Sequence, residues 1–118
     1  MVKTVTNEEV TQEELGGAVT HTTKTSVADI AFENDVETLL STREFFNYLP
    51  LSNREEPPVV PSDDPWDRLE PSLDTLIPEN ANQPYDMHEV IAKTVDDGEF
   101  FEVQPTHAAN IILSLIHI

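Results

Sequence analysis

The sequence predicts an α/β chain in which helices and short strands flank a long proline-rich stretch. Two helices are marked by N-capping residues followed by periodic apolar side chains, and two β-like stretches follow the second of them. Seven of the nine prolines lie in residues 51–86, and proline excludes both a helix interior and a central strand. A length of 118 residues allows one domain at most.

The first third of the chain predicts short elements. Val2–Val5 has the composition of a short β-like stretch. Thr6–Glu9 and Thr11–Glu14 both fit the capping box that begins a helix. The Gly16–Gly17 pair predicts that a short helix ends at Gly16, because a helix stop favours residues tolerant of positive φ. The threonine-rich residues 18–25 predict a loop or a strand.

The clearest predicted helix covers residues 35–48. Asn34 is a favourable N-cap, and Glu37 follows at the position that completes a capping box. Pro50 stands just beyond the expected end. The apolar residues expected to share one helical face are Val36, Leu39, Leu40 and Phe46.

Residues 51–86 combine prolines and acidic residues with large apolar side chains. A free linker has the same proline content but little use for such side chains. We therefore interpret the segment as an extended strap that lies on a folded body. The expected anchors are Trp66, Leu69, Leu73, Leu76, Ile77 and Tyr85.

The last block predicts a helix followed by strands. Asp86 is a good N-cap for a helix of about ten residues that begins at Met87. The sequence at 96–98, Asp-Asp-Gly, is typical of a helix stop. Phe100–Val103 predicts a strand, and residues 108–112 predict the start of another apolar element.

The charge of the chain excludes several classes of function. Twenty-three acidic residues against six basic ones give a formal net charge of −17. Such a surface repels nucleic-acid phosphates and anionic lipids, so we expect neither a nucleic-acid nor a membrane partner. The chain has no cysteine and therefore no disulfide or thiolate metal site.

Local motifs give little support for side-chain chemistry. The four histidines form no metal-binding pattern, and no serine has a G-x-S-x-G setting. The acidic pairs Asp63–Asp64 and Asp96–Asp97 are better explained as solvated surface or helix-stop residues. Gly16 and Gly17 could present two backbone N–H groups to an oxyanion. A helix C-cap explains the same pair and is the interpretation that the local sequence favours, with the oxyanion role as the alternative.

Taken as a whole, the chain resembles the biotin-dependent acyl-CoA carboxyltransferase family, and within it the propionyl-CoA-specific carboxyltransferase subunits. The resemblance runs in order along most of the sequence, which makes it more specific than any single motif. The segments that carry it are KTVTNEEVTQEELGGA at 3–18, THTTK at 20–24, AFENDVE at 31–37, FFNYLPLS at 45–52, DPWDRL at 64–69, LDTLIPEN at 73–80, PYDMHEVI at 84–91 and VDDGEFFEVQP at 95–105.

The resemblance implies a partial crotonase-like carboxyltransferase fold, because the family's subunits are several times longer than this chain. Residues 1–50 would be the end of the N-terminal domain, and residues 51–86 the acidic strap between domains. Residues 87–112 would begin the C-terminal domain. On this interpretation the chain is a fragment of a larger subunit.

The resemblance also implies a reaction: transfer of a carboxyl group from carboxybiotin to propionyl-CoA, giving methylmalonyl-CoA. Biotin would arrive on a partner subunit, and the carboxyltransferase subunits would form a homo-oligomer. The family's principal oxyanion glycines lie outside this chain, so it would hold no catalytic residue, and Gly16 and Gly17 would have at most a supporting role. Phe100, Phe101 and Glu102 would contribute to the acyl-CoA wall, although Phe100 and Phe101 also suit the start of a core strand.

Two departures from the family pattern generate further expectations. The family has glycine where this chain has Ser26, so Ser26 would strain the turn if the backbone there adopts positive φ. Residues 113–118 replace the family's continuation with six residues that a sequencing-library transposon end encodes in one frame. We expect them to be an artefact, the alternative being a native apolar strand.

Two wider expectations complete the interpretation. The parent protein would work in the mitochondrial matrix of a eukaryote or the cytoplasm of a bacterium, and the fragment alone would be inactive. A free-standing acidic interaction module without chemistry is the alternative function. Cooperative thermal unfolding of the isolated chain would favour the module.

Overall fold

Short helices joined by irregular segments make up most of the chain. The structure, a computed structural model, describes residues 2–117. The elements, in order, are α1 (Val2–Thr6), α2 (Gln12–Gly16), a π-helix (Thr20–Lys24), α3 (Asp35–Phe46), α4 (Leu73–Leu76), α5 (Met87–Thr94), a 3₁₀ turn (Asp96–Gly98), β1 (Phe101–Val103) and β2 (Leu113–Leu115). β1 and β2 form a two-stranded sheet.

The described residues divide into two structural units. Residues 2–42 and 103–113 form the first, and residues 43–102 and 114–117 form the second. Each unit has a single buried residue within residues 2–117: Thr22 in the first, 3% exposed, and Phe101 in the second, 8% exposed. So little burial is far below what a free-standing domain of this length achieves.

Three of the predicted N-caps are confirmed. Thr11 and Glu14 form a reciprocal capping box at α2, with the Glu14 N–H donating to Thr11 Oγ1 at 3.2 Å. Asn34 Oδ1 accepts from the Glu37 N–H at 3.0 Å at the start of α3. Asp86 accepts from the His88 N–H at 2.9 Å and begins α5. In each case a side-chain oxygen satisfies an amide that has no partner within the helix.

Other local predictions are wrong. Val2–Val5 lies in helix α1 rather than a strand, with Thr6 Oγ1 donating to Val2 O at 3.1 Å. No helix follows the proposed capping box at Thr6–Glu9, where Asn7 has a φ of 58°. Residues 20–24 form a π-helix rather than a loop or strand. The apolar element expected at 108–112 is a turn, and the strand begins at Leu113.

The long predicted helix is confirmed, but its apolar face is not covered. α3 spans Asp35–Phe46, two residues short of the predicted end, and hydrogen-bonded turns carry the chain to Leu49. Val36, Leu39 and Leu40 are all more than three-fifths exposed within the described residues. The caps therefore explain where this helix begins, whereas its apolar face is largely exposed within residues 2–117.

The proline-rich segment is largely irregular, as predicted, apart from the four-residue helix α4. The expected anchoring is wrong for four of the six side chains within the described residues, because Trp66 is 97% exposed, Leu69 86%, Ile77 55% and Tyr85 48%. Leu73 and Leu76, both in α4, are partly buried. The segment thus packs through α4, while its tryptophan projects into solvent.

Candidate functional site

The glycine pair of the first unit lies at the end of α2. Gly16 is the last residue of the helix, and Gly17 is its C-cap, donating its N–H to Glu13 O at 2.8 Å. Gly17 has a φ of −79°, so a need for positive φ does not explain this glycine. The Gly17 amide is used within the chain as a helix cap.

The Glu13 carboxylate occupies the space where a side chain at residue 17 would begin. A Cβ atom at Gly17 would fall 1.9–2.2 Å from the Glu13 carboxyl group, so the flexible glutamate side chain would have to move aside. In that position Glu13 Oε1 accepts a hydrogen bond from the Val19 N–H at 3.1 Å. Gly16 is less constrained, since a Cβ there would lie 3.4 Å from His21 Nε2. The pair therefore accommodates a carboxylate of the chain itself.

The π-helix after the glycines is tied to the turn that follows β1. Thr106 Oγ1 donates to Thr22 O at 3.3 Å, and His107 Nδ1 lies 3.0 Å from Thr23 O. Thr22 and Thr23 lie in the last turn of this short element, where backbone carbonyls have no partner within the helix and can accept such bonds. These contacts join segments 84 residues apart in the sequence and give the first unit its only buried polar residue, Thr22, within the part of the chain described.

The second unit contains a cluster of three titratable side chains. His88, in the first turn of α5, lies between Asp86 and Glu102: Nδ1 is 2.9 Å from Asp86 Oδ1, and Nε2 is 2.9 Å from Glu102 Oε2. The hydrogen bonds to Asp86 and then to Glu102 raise the pKa of His88. Hydrogen bonds from the His88 backbone and ring lower the pKa of Asp86. We call these three residues the Asp86–His88–Glu102 cluster.

The predicted acyl-CoA wall residues lie next to this cluster but have different environments. Phe101 is buried, with its ring centroid 5.8 Å from that of Phe45 and 5.9 Å from that of Tyr48. Phe100 is half-buried, with its ring 6.3 Å from that of His88. Glu102 follows on β1 and faces His88. The strand thus places Phe101 in a small aromatic core, and Phe100 and Glu102 beside the histidine.

Arg68, which the sequence did not single out, links the proline-rich segment to α5. Its guanidinium donates to Lys93 O at 3.1 Å and to Val95 O at 3.0 Å, at the carboxyl end of the helix. Its Nε lies 3.3 Å from Asp64 Oδ2, which also accepts the Asp97 N–H at 2.9 Å. A cation at the C-terminus of a helix is favourable both for the unpaired carbonyls and for the helix dipole. The DPWDRL segment is therefore anchored through its arginine.

No group of three or more His, Asp or Glu side chains among residues 2–117 is arranged to hold a metal ion. In the Asp86–His88–Glu102 cluster each ring nitrogen already faces its own carboxylate. Within the same residues, no helix has the length and apolar character needed to cross a bilayer.

Comparison with known proteins identifies the family. The family model for the carboxyl transferase domain matches residues 1–118, and the chain belongs to this family. It is 60% identical over 118 residues to the propionyl-CoA carboxylase beta chain of Roseobacter denitrificans, and 56% identical over 113 residues to the mitochondrial one of Sus scrofa. The two alignments include 100% and 96% of this chain, but only 23% and 21% of the lengths of the two relatives.

The fold comparison agrees with the sequence comparison. A solved structure of transcarboxylase 12S, with methylmalonyl-coenzyme A and methylmalonic acid bound, superposes with a TM-score of 0.90 at 32% sequence identity. The match covers 99% of this chain and 22% of that one. The mixed helices and strands described here are therefore a segment of a carboxyltransferase fold, and the resemblance inferred from the sequence is confirmed.

Proposed function

We propose that the chain is a segment of a biotin-dependent carboxyltransferase subunit that transfers a carboxyl group from carboxybiotin to propionyl-CoA. The observation that carries the proposal is the 60% identity to a propionyl-CoA carboxylase beta chain along the full chain. Biotin would be carried by a partner subunit, and the parent would be a homo-oligomer. The parent would act in the bacterial cytoplasm or, in a eukaryote, the mitochondrial matrix.

We further propose a crotonase-like fold in which residues 1–50 end one domain, 51–86 cross between domains and 87–112 begin the next. The exposure of Trp66 and Leu69, both above four-fifths, supports a larger protein that covers them. Residues 113–118 remain predicted as a library artefact. Sequencing the source DNA without transposons tests that prediction directly.

The candidate site residues of this chain would shape the site of the larger subunit and would not themselves react. Gly16 and Gly17 would hold the α2 turn in shape, and Phe100, Phe101 and Glu102 would form part of the acyl-CoA wall. The chemistry of carboxyl transfer requires stabilised enolate oxygens, which backbone N–H groups supply elsewhere in the parent. The isolated chain should therefore be inactive.

A chimera tests the proposal. Residues 2–112 of this chain replace the equivalent segment of the Roseobacter denitrificans subunit. The chimera is assembled with its biotin-bearing partner and assayed for methylmalonyl-CoA. We expect propionyl-CoA carboxylation, with the unmodified subunit as reference. A chimera of native size and thermal stability that carboxylates no acyl-CoA would contradict the proposed function. A second chimera with Ser26→Gly controls for a folding defect in the exchanged turn.

A further inference from the structure

The geometry of the Asp86–His88–Glu102 cluster constrains its protonation state. Each ring nitrogen of His88 is 2.9 Å from a carboxylate oxygen, a normal length for a charge-assisted hydrogen bond. Asp86 belongs to the cap of α5, and Glu102 belongs to β1. The imidazole is therefore the only side chain in this contact that bonds both elements.

Hydrogen-bond chemistry then decides which form of the ring fits. An ionised carboxylate only accepts hydrogen bonds, whereas a neutral imidazole has one donor and one acceptor nitrogen. In the neutral ring, one nitrogen lone pair would point at a carboxylate oxygen and repel it. Only the imidazolium donates from both nitrogens, so the observed arrangement is complete only when His88 carries two protons.

We infer that the Asp86–His88–Glu102 cluster is a proton-operated clasp that joins the start of α5 to β1 when His88 is protonated and opens when the ring loses a proton. The clasp does not depend on the proposed carboxyl-transfer function. His88 retains 48% of its side-chain exposure, so its proton exchanges directly with solvent. Glu102 is less exposed, at 24%, which strengthens its hydrogen bond.

The two charged groups that face the ring both favour the protonated form. Among the described residues, the charged groups acting on it are Asp86, preceding α5, and Glu102, on β1. The Phe100 ring lies 6.3 Å away at a tilt of 32° and bears no charge. The two carboxylates raise the pKa of His88, with the hydrogen bond to Asp86 the larger cause. The clasp therefore closes on the acidic side of that raised pKa and opens on the alkaline side.

Histidine NMR on the complete 118-residue chain tests the clasp. Ring resonances are followed from about pH 5 to about pH 9, the range in which histidine titrates, in native buffer and in concentrated urea. We expect His88 to titrate at higher pH in buffer than in urea. Asp86→Asn, which keeps an N-cap side chain, and Glu102→Gln, which keeps the shape, should each lower the midpoint.

Glu99→Gln is the matched control, because among the described residues Glu99 makes no hydrogen bond with His88. This variant should leave the midpoint close to that of the unmodified chain. Equal His88 midpoints in buffer and in urea would overturn the inference, because the two carboxylates would then not act on the ring in buffer. If Glu99→Gln lowered the His88 midpoint as much as Glu102→Gln, the inference would also be overturned. The overall negative charge of the chain would then explain the raised midpoint.

Discussion

Ser26 is the position where one substitution should stabilise the first unit. Its φ of 50° lies in the left-handed region, as expected from the departure of this residue from the family's glycine. A non-glycine residue there carries a cost of roughly 1–2 kcal/mol. Glycine removes that cost but loses about 0.5–1 kcal/mol through the freedom of the unfolded chain. Ser26→Gly should therefore stabilise the turn by up to about 1.5 kcal/mol, with a central value of roughly 0.8 kcal/mol.

Amide hydrogen exchange at Ala28 measures this change locally. The Ala28 N–H donates to His21 O at 3.3 Å and so closes the turn that contains Ser26. A gain of about 1 kcal/mol corresponds to roughly fivefold greater protection, since 1.4 kcal/mol is tenfold. Ser41→Gly, within α3, is the control and should weaken protection of that helix. Unchanged or reduced protection of Ala28 in Ser26→Gly would refute the strain argument.

Three further substitutions should destabilise the chain. Gly98→Ala should cost about 1 kcal/mol or more, because φ is +71° and the new Cβ would lie 3.3 Å from Ala92 O; faster exchange of the Glu99 amide, which donates to Asp96 O across this turn, measures it. Gly17→Ala should cost about 1 kcal/mol by displacing the Glu13 carboxylate. Faster exchange of the Val19 amide, which donates to that carboxylate, would report the loss. Arg68→Lys should cost about 2 kcal/mol, seen as faster exchange of the Val95 amide at the end of α5, since an ammonium cannot reach both carbonyls that the guanidinium spans. Unchanged stability in any of the three variants would contradict the stabilising role assigned to the feature that the variant removes.

The features that the sequence predicted correctly are those determined by near neighbours. The caps at Thr11, Asn34 and Asp86 each depend on a side chain and an amide within three residues. The helix stop at 96–98 likewise follows from Gly98 and from Asp97, whose φ is 54°. The positive φ at Ser26 was available only through comparison with a family pattern, because serine itself favours no such conformation.

The features that were missed depend on contacts between distant residues. The bond from His88 to Glu102 spans 14 positions, and those from Arg68 to the end of α5 span 25 and 27. No spacing rule within a helix or strand predicts such pairs. The C-cap interpretation of Gly17 is confirmed, although its φ of −79° shows that positive φ is not the reason for the glycine. Two apolar residues, Val2 and Val5, were too few to distinguish a strand from the observed helix.

The two pKa shifts in the Asp86–His88–Glu102 cluster also define the pH range in which the second unit should be most stable. The pKa of His88 is raised on folding, so its stabilisation is complete below about pH 6.5 and disappears as pH rises through the raised value. The pKa of Asp86 is lowered, so its stabilisation is complete above about pH 4 and disappears as pH falls through the lowered value. Both contributions are present together between about pH 4 and about pH 6.5.

Protection of the α5 amides, corrected for the intrinsic pH dependence of exchange, should therefore fall above this range in the unmodified chain. In His88→Gln the corresponding fall should be absent, because glutamine does not titrate. The decline at acidic pH should persist in that variant, since the Asp86 carboxylate still caps α5 through the backbone N–H of residue 88. If protection of the α5 amides fell equally at alkaline pH in the unmodified chain and in His88→Gln, protonation of His88 would not contribute to the stability of the helix.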